Sequence, residues 1–170
     1  IERIRFGSLE PRIITEEFVK ALAGMEKICP HFHLSLQSGC NETLKRMNRH
    51  YTCDEYYSRC ELLRKYFKNP AITTDVIVGF PGETSEEFAQ TEAFLKKVHF
   101  YEMHVFKYSR RAGTRADRMP DQVPENIKTE RSARLLKLEA EMSREFRGSF
   151  IGKETEVLIE EPVVIDGTTY

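Results

Sequence analysis

The sequence lacks the closely spaced cysteine pairs that bind metals in small protein sites. Its cysteines are Cys29, Cys40, Cys53 and Cys60, with ten, twelve and six residues between neighbours. Because no CxxC or CxxxC pair is present, the spacing argues against a self-contained zinc or iron–sulfur site. We expect no metal ligand among these residues and interpret the thiols as small buried or half-buried apolar groups.

The chain also lacks a long apolar run, a signal peptide and a strong net charge. No segment approaches the roughly 18–20 apolar residues of a membrane span, so we expect no membrane partner. The net charge of -1 gives no overall case for nucleic-acid binding, which would need a local basic surface. With 40% hydrophobic and 31% charged residues, the composition is typical of a soluble globular chain. A chain without secretion signals favours reduced thiols and a cytoplasmic location.

Strand-like and helix-like segments alternate along residues 1–150. The segments "HFHLSLQ", "AITTDVIVGF" and "FYEMHVFKYS" predict parallel strands, and the apolar residues between Ile1 and Phe6 indicate an earlier strand. Between the strands, Thr15, Thr52 and Thr84 are predicted N-caps of amphipathic helices, and the last two begin capping boxes. Phe18, Leu22 and Met25 are predicted to share the inward face of the first helix. Units of this kind are typical of a parallel α/β sheet.

Four parallel strands leave two open sheet edges, so the predicted fold over residues 1–150 is an arc of a (βα) barrel and not a closed barrel. We therefore expect the other half of the barrel to be missing from this piece of chain. A long charged helix is predicted from Pro124, with an inward stripe of Leu135, Leu138, Met142 and Phe146. Residues 151–170 change to a β-type pattern with Asp166-Gly167 as a hairpin turn, which predicts the start of a small all-β domain.

Polar residues and glycines lie at the predicted carboxyl ends of the strands, where parallel α/β sheets bind ligands. They are Ser8, Gln37-Ser38-Gly39, the turn at 79–83 and Tyr108-Ser109. Gln37, Ser38 and Arg49 have groups suited to a carboxylate or a ribose. Arg49 could equally be a solvated cation at a helix end. The glycine turn could approach a ligand or be a plain turn.

Asp75 lies inside the third strand, in the apolar setting "TTDVIVGF". A buried carboxylate is costly unless it is paired. It either binds an ammonium or a ribose hydroxyl of a ligand, or forms an ion pair with an inward Lys or Arg. His31 and His33 flank Phe32, and we interpret them as ordinary barrel or rim residues rather than as a metal pair.

Basic residues follow the fourth strand. Cations and aromatic side chains at a barrel mouth suit RNA phosphates and unstacked bases, although a solvated loop has the same composition. The residues expected to contact RNA are Lys107, Arg110, Arg111 and Arg115.

Four stretches resemble the radical S-adenosylmethionine enzymes, and within them the methylthiotransferases that modify tRNA. In order they are "RIRFGSLEP", "CPHFHLSLQSGCNETLKRMNRHYT", "TTDVIVGFPGETSEEF" and "FKYSRRAGTRA". "SLQSGC" is most similar to the branch acting on threonylcarbamoyladenosine beside the anticodon, and the isopentenyladenosine and ribosomal-protein branches are close alternatives. The tail "FIGKETEVLIEE" resembles the first strand of a TRAM domain, a small RNA-binding β-barrel, which would begin at residue 151.

The resemblance implies roles for individual residues. Gln37, Arg49 and Asp75 match contacts to the methionine and ribose parts of S-adenosylmethionine. Ser8 matches a polar ribose contact, Ile77 and Gly79 match the adenine side, and Tyr108-Ser109 match a backbone contact to adenine. The full set of expected cofactor contacts is Ser8, Gln37, Ser38, Arg49, Asp75, Ile77, Gly79, Tyr108 and Ser109.

The resemblance implies that residues 1–150 are the C-terminal half of the radical SAM barrel and that the N-terminal half is missing from this piece of chain. One family motif, the CxxxCxxC that binds a 4Fe-4S cluster through three thiolates, is absent from this sequence. We therefore expect clusters in the full-length protein only and assign no catalytic residue here. The resemblance implies an intact enzyme that cleaves S-adenosylmethionine to a deoxyadenosyl radical and inserts a methylated sulfur into tRNA, and a fragment that is inactive alone. The alternatives are another radical enzyme of this class, such as a coproporphyrinogen oxidase relative, and a non-catalytic RNA-binding module.

Overall fold

The computed structural model describes residues 1–156 and 162–169. Within them strands and helices alternate, as predicted. The strands are β1 (Ser8–Leu9), β2 (His31–Leu34), β3 (Ala71–Val78), β4 (Glu102–Lys107), β5 (Val164–Ile165) and β6 (Thr168–Thr169). The α-helices are α1 (Glu16–Ala23), α2 (Asn41–Arg46), α3 (Cys53–Tyr66), α4 (Ser85–Val98) and α5 (Glu125–Gly148), and short 3-10 helices cover Pro11–Ile13 and Ala116–Arg118.

Threonine side chains cap three of the helices. Thr15, Thr52 and Thr84 each accept a hydrogen bond from the backbone N–H three residues later. At Thr52 and Thr84 the glutamate at that third position also accepts from the N–H of the cap residue, so both predicted capping boxes are confirmed. These caps fix the points at which the chain leaves each loop.

β1, β2, β3 and β4 form one parallel sheet in that order, which confirms the predicted arc with two open edges. Successive side chains of a strand point to opposite faces of a sheet. On one face, the apolar residues Phe32, Leu34, Ile72, Val76 and Met103 are almost completely buried within the hydrophobic core that the sheet forms with the helices.

The other face of the sheet is less covered, and we call it the open face. It carries His33, Asp75 and Ile77, which are half-buried, and His104 and Phe106, which are exposed. The open face corresponds to the predicted barrel interior.

Helix α5 contacts β3 and β4. Leu135, Leu138 and Met142 are buried as predicted, whereas Phe146 is half-buried and its ring centroid lies 4.7 Å from that of Tyr101. In the described part of the chain, no helix is both long and apolar enough to cross a membrane.

Two local predictions are wrong. A first strand was expected between Ile1 and Phe6, but β1 contains Ser8 and Leu9, and Ile4 makes an isolated bridge to Ile28. Ser8 therefore lies in β1 and not after it. β1 is an edge strand and pairs with β2 on one side alone. Met25 was expected on the inward face of α1, but the helix ends at Ala23 and Met25 is 53% exposed.

Near the C-terminus, β5 and β6 form an antiparallel hairpin around Asp166 and Gly167. Both turn residues have positive φ, of 49° and 77°, as a tight hairpin turn requires. The predicted hairpin is confirmed. The strand expected from "ETEVLIEE" includes residues 157–161, which lie outside the described residues.

Candidate functional site

Gln37 lies where the chain leaves the sheet and enters α2. Its N–H donates to the Asp75 carbonyl and its own carbonyl accepts from the Ile77 N–H, both at 2.9 Å. Gln37 therefore continues the pairing with β3 although β2 ends at Leu34. Its φ of 75° lies in the left-handed region, a strained conformation for a residue with a side chain. Such strain is common at ligand sites.

Ser38 and Gly39 are fixed by contacts to helix α4. The Ser38 hydroxyl lies 3.2 Å from the Thr91 hydroxyl and accepts from the Cys40 N–H, and Ser38 is 2% exposed. A Cβ on Gly39 would lie 2.9 Å from the Thr91 Cα. Packing against α4 therefore explains why a serine and a glycine occupy positions 38 and 39. The Ser38 hydroxyl already forms its hydrogen bonds within the protein.

The turn after β3 is closed by its own glutamate. Glu83 accepts from the Gly79 N–H at 2.7 Å and from the Phe80 N–H at 3.3 Å. Gly79 has a φ of 72°, and a Cβ there would lie 2.3 Å from the Lys128 Cγ. The close packing of Lys128 thus explains why a glycine is needed at position 79. This contact favours the interpretation of "GFPGE" as a plain turn.

A buried ion pair attaches this turn to α5. Arg131 donates to the Glu83 carboxylate at 3.0 Å and to its carbonyl at 3.1 Å, and the two side chains are 7% and 4% exposed. Burial raises the pKa of Glu83, and the positive charge of Arg131 opposes that rise. Sequence reasoning missed this pair. The available signal was the position of Arg131 four residues before Leu135, on the buried face of α5.

Beyond the ends of β3 and β4 lies a largely apolar depression of about 500 Å³, which we call the strand-end recess. Phe80 and Tyr108 form one wall, with their rings edge to face and their centroids 5.2 Å apart. The remaining lining includes Ile77, Phe106, Lys107, Ser109 and Arg111. Three expected adenine-side contacts, Ile77, Tyr108 and Ser109, are therefore brought together in one recess.

A second depression of about 330 Å³, the histidine recess, lies across the middle of the open face. Its lining includes Ser8, His33, Asp75 and His104. An Asp75 carboxylate oxygen lies 3.1 Å from His104 Nδ1, and the other lies 3.4 Å from His33 Nε2. Among the described residues the partners of Asp75 are thus two histidines, and Asp75 forms no ion pair with a Lys or Arg there, which was the alternative that the sequence left open.

Arg49 lies in neither recess. Its side chain is exposed and lines a third depression between α2 and α3, together with Lys45, His50 and Glu55. None of the other expected cofactor contacts lines that depression. In this structure Arg49 is therefore separated from the groups at the strand ends.

Lys107, the last residue of β4, and the arginines that follow it are exposed. Lys107 forms an ion pair with Glu125 at 2.6 Å, and Arg110 pairs with Asp117 at 2.9 Å. Arg111 lines the strand-end recess, and Arg115 is the N-cap residue of the second 3-10 helix. Positive charge therefore surrounds the mouth of the strand-end recess, although part of it is balanced by carboxylates.

The cysteines do not fit an iron–sulfur cluster. Cys40 donates to the Gln90 side chain at 3.4 Å. Burial raises the pKa of both Cys53 and Cys60 to about 12, so these thiols stay protonated at neutral pH. In the described ranges, the group of three His, Cys, Asp or Glu side chains close enough to share a metal ion is His33, Asp75 and His104, and it includes no cysteine. The thiols are buried or half-buried, as predicted.

Comparison with known proteins gives a consistent result. The sequence profile of the Radical SAM superfamily matches residues 2–95. A tRNA-2-methylthio-N(6)-dimethylallyladenosine synthase from Caldicellulosiruptor saccharolyticus is 45% identical over 94% of this chain and 34% of its own length. The threonylcarbamoyladenosine tRNA methylthiotransferase MtaB of Bacillus subtilis is 45% identical over 95% of this chain and 36% of its own length. This chain thus spans about a third of these curated relatives.

A solved structure has the same fold. Coproporphyrinogen III oxidase from Escherichia coli superimposes with a TM-score of 0.67 over 82% of this chain and 32% of the other, at 19% sequence identity. This similarity supports the assignment of the parallel sheet and its helices to a half-barrel.

Proposed function

The chain belongs to the radical SAM superfamily, and we propose that it is part of a tRNA methylthiotransferase. Relatives at 45% identity over nearly the whole chain carry this activity in their names. The observation that carries the proposal is the strand-end recess, because it brings Ile77, Tyr108 and Ser109 together at the carboxyl ends of β3 and β4. Parallel α/β sheets bind their ligands at such a position.

We propose that the strand-end recess holds the adenine of S-adenosylmethionine. An adenine ring is flat and largely apolar, and it would lie against Ile77, Phe80 and Tyr108. The Tyr108 N–H already donates to the Val78 carbonyl, and the Tyr108 carbonyl accepts from Lys128, both at 2.9 Å. Of the pair Tyr108-Ser109, the backbone of Ser109 is therefore the better candidate for hydrogen bonding to the base edge.

The other expected contacts remain proposals of different strength. Gln37 is held beside Asp75 and Ile77 through its backbone, and Ser8 and Asp75 share the histidine recess. These residues could face the ribose and the methionine part. For Ser38, Gly79 and Arg49 the resemblance alone supports a ligand role, because the contacts described above explain their positions without one.

The residues of this chain do not fit a 4Fe-4S cluster, so we propose that clusters belong to other parts of the intact protein. No catalytic step is assigned to the cysteines here. The chain's own contribution is to bind and orient S-adenosylmethionine. By itself this piece is proposed to be inactive.

The proposed RNA substrate is tRNA, bound at its anticodon stem-loop. Arg111 and Arg115 are exposed beside the strand-end recess, where they could contact phosphates. Lys107 and Arg110 would have to exchange their carboxylate partners for RNA. We also propose that residues 151–170 begin a TRAM domain, and that the intact enzyme acts in the cytoplasm, where thiols stay reduced.

Two modified adenosines are candidate substrates, because the relatives named above act on different ones. A dimethylallyl group is apolar, whereas a threonylcarbamoyl group carries a carboxylate, a hydroxyl and amide groups. The "SLQSGC" stretch favours threonylcarbamoyladenosine.

The test is mass spectrometry of tRNA nucleosides from cells that lack the full-length gene, with the wild-type gene restored as the control. We expect loss of 2-methylthio-threonylcarbamoyladenosine and recovery on complementation. Loss of the 2-methylthio-dimethylallyl nucleoside instead would support the other branch. Unchanged levels of both nucleosides would contradict the proposed activity.

A further inference from the structure

Three side chains from three neighbouring strands meet on the open face. Asp75 of β3 lies opposite His104 of β4, and His33 of β2 lies opposite Thr73, two residues before Asp75. The parallel register therefore places one carboxylate between two imidazoles. The His33 and His104 rings stack with their centroids 5.8 Å apart.

The hydrogen-bonding of His33 leaves one of its nitrogens without a partner. His33 Nδ1 lies 3.0 Å from the Thr73 hydroxyl oxygen. Within the described part of the chain, His33 Nε2 is buried and has no hydrogen-bond partner, although an Asp75 oxygen lies 3.4 Å away. Either ring nitrogen of His33 can carry the proton. When the proton is on Nδ1 and is donated to Thr73, the imidazole presents a lone pair on Nε2 towards a carboxylate oxygen.

In that tautomer the two lone pairs repel unless a cation lies between them, whereas in the other tautomer the Nε2 proton faces the Asp75 oxygen. His104 offers a further atom that could bind a metal, because its Nδ1 lies 3.1 Å from the second Asp75 oxygen. One donor atom from each of the three residues can be chosen so that all lie within 4.8 Å of one another. Metal–ligand bonds of about 2.0–2.2 Å place donor atoms about 3.3 Å apart in a tetrahedral site, so small side-chain rotations would close the set.

We propose that His33, Asp75 and His104 form a binding site for a divalent transition-metal ion. Imidazole and carboxylate donors suit Zn²⁺, Co²⁺ and Ni²⁺ better than they suit Mg²⁺ or Ca²⁺. Thr73 would act as the outer partner that orients the His33 ring, a role that such partners commonly have at metal sites. Three protein ligands leave a coordination position open towards the recess, where water or another oxygen ligand can bind.

This inference rests on the cluster itself and does not depend on the proposed methylthiotransferase activity. It does restrict the role of Asp75, because a carboxylate bound to a metal cannot also accept hydrogen bonds freely from a ribose. Zn²⁺ and S-adenosylmethionine are therefore expected to compete if both bind through Asp75.

The experiment is titration of the purified chain of 170 residues with ZnCl₂ by calorimetry after removal of metals with a chelator. Co²⁺ is then added in a parallel sample and its absorbance recorded. We expect one Zn²⁺ per chain and a cobalt spectrum typical of nitrogen and oxygen ligands. A thiolate-to-cobalt charge-transfer band would place the metal on cysteines and overturn the proposal, as would the absence of binding.

Two variants and one control identify the ligands. Asp75→Asn and His104→Gln keep the side-chain size and are each expected to weaken Zn²⁺ binding by at least about tenfold. His99→Gln is the control, because His99 is an exposed histidine paired with Glu145 at 2.7 Å, outside the cluster. Circular dichroism checks that each variant is folded. Unchanged affinity in both folded cluster variants would overturn the assignment.

Discussion

Arg131 on α5 donates to the buried carboxylate of Glu83 at 3.0 Å, and this contact joins the last long helix to the turn after β3. Glu83 in turn accepts from the Gly79 and Phe80 N–H groups. The ion pair therefore fixes the backbone at the carboxyl end of β3, next to the strand-end recess. A change at Arg131 should disturb the fold and the recess together.

Arg131→Met is expected to lower the free energy of unfolding by about 3–5 kcal/mol, because it leaves the charge of Glu83 buried and unpaired. Urea denaturation followed by circular dichroism measures the change. The control is Arg134→Met, which removes a solvent-exposed partner of Glu92 and should cost less than about 1 kcal/mol. The double change Glu83→Gln with Arg131→Met should recover part of the loss. Equal effects of the Arg131 and Arg134 changes would contradict a special role for the buried pair.

Gly79→Ala should destabilise the chain more than Gly113→Ala, although both glycines have a positive φ, of 72° and 85°. The left-handed conformation alone costs about 1–2 kcal/mol for a residue with a Cβ. At Gly113 nothing lies within 4 Å of that Cβ, whereas at Gly79 it would lie 2.3 Å from the Lys128 Cγ. Urea denaturation gives the free energy of unfolding of each variant. The difference between the two values therefore measures the cost of the clash between the new Cβ and Lys128.

Combining Gly79→Ala with Lys128→Ala separates this clash from other effects. The double variant should be less destabilised than the sum of the two single changes, since removal of the Lys128 side chain makes room for the new methyl group. Strict additivity of the two changes would show that the Lys128 contact is not the cause.

The elements of the fold follow from local patterns in the sequence. Thr52 and Thr84 are each followed three residues later by the glutamate that completes a capping box, and "AITTDVIVGF" has the apolar composition of a buried parallel strand. These signals depend on residues a few positions apart. They therefore predict the half-barrel and most element boundaries correctly.

The partners of the polar residues could not be predicted in the same way. The neighbours of Asp75 are His33 and His104, which are set by the register between strands separated by whole helices. The pairing of Glu83 with Arg131 likewise depends on how α5 lies against the sheet. The resemblance assigns Ile77 and Tyr108 to the adenine side, and both line the strand-end recess. Arg49, which the resemblance assigns to the methionine and ribose parts, lies on a different surface.

Cys53 and Cys60 are expected to resist alkylation in the folded chain. Their pKa values are raised by burial to about 12, from an ordinary value of 9.0, so at pH 8 the reactive thiolate is almost absent. Cys29 is half-buried and should react before them. Labelling with iodoacetamide followed by peptide mass spectrometry gives the rate at each cysteine. Labelling of Cys60 as fast as Cys29 would contradict the buried placement.

The same pKa shifts predict a dependence of stability on pH. A thiol whose pKa is higher in the folded state than in the unfolded state favours folding while it is protonated. This contribution is complete below pH 9 and is lost as the pH rises from 9 towards 12, where the folded-state thiols also ionise. Cys60→Ala should flatten this part of a stability profile measured by urea denaturation between pH 7 and about pH 10.5. A profile identical to that of the unchanged chain would argue against ionisation of Cys60 as a cause.

Ile77→Asp in the full-length protein is expected to weaken binding of S-adenosylmethionine by at least about tenfold, as measured by equilibrium dialysis. The side chain of Ile77 lines the strand-end recess beside Phe80, and a carboxylate there would have to be desolvated against the adenine ring. Ile13→Asp is the control, because Ile13 is 45% exposed on the first 3-10 helix and lines neither recess. Thermal unfolding of both variants shows whether lost binding reflects lost structure. Unchanged affinity for S-adenosylmethionine in a folded Ile77→Asp protein would show that the strand-end recess is not the adenine site. It would not contradict the half-barrel fold.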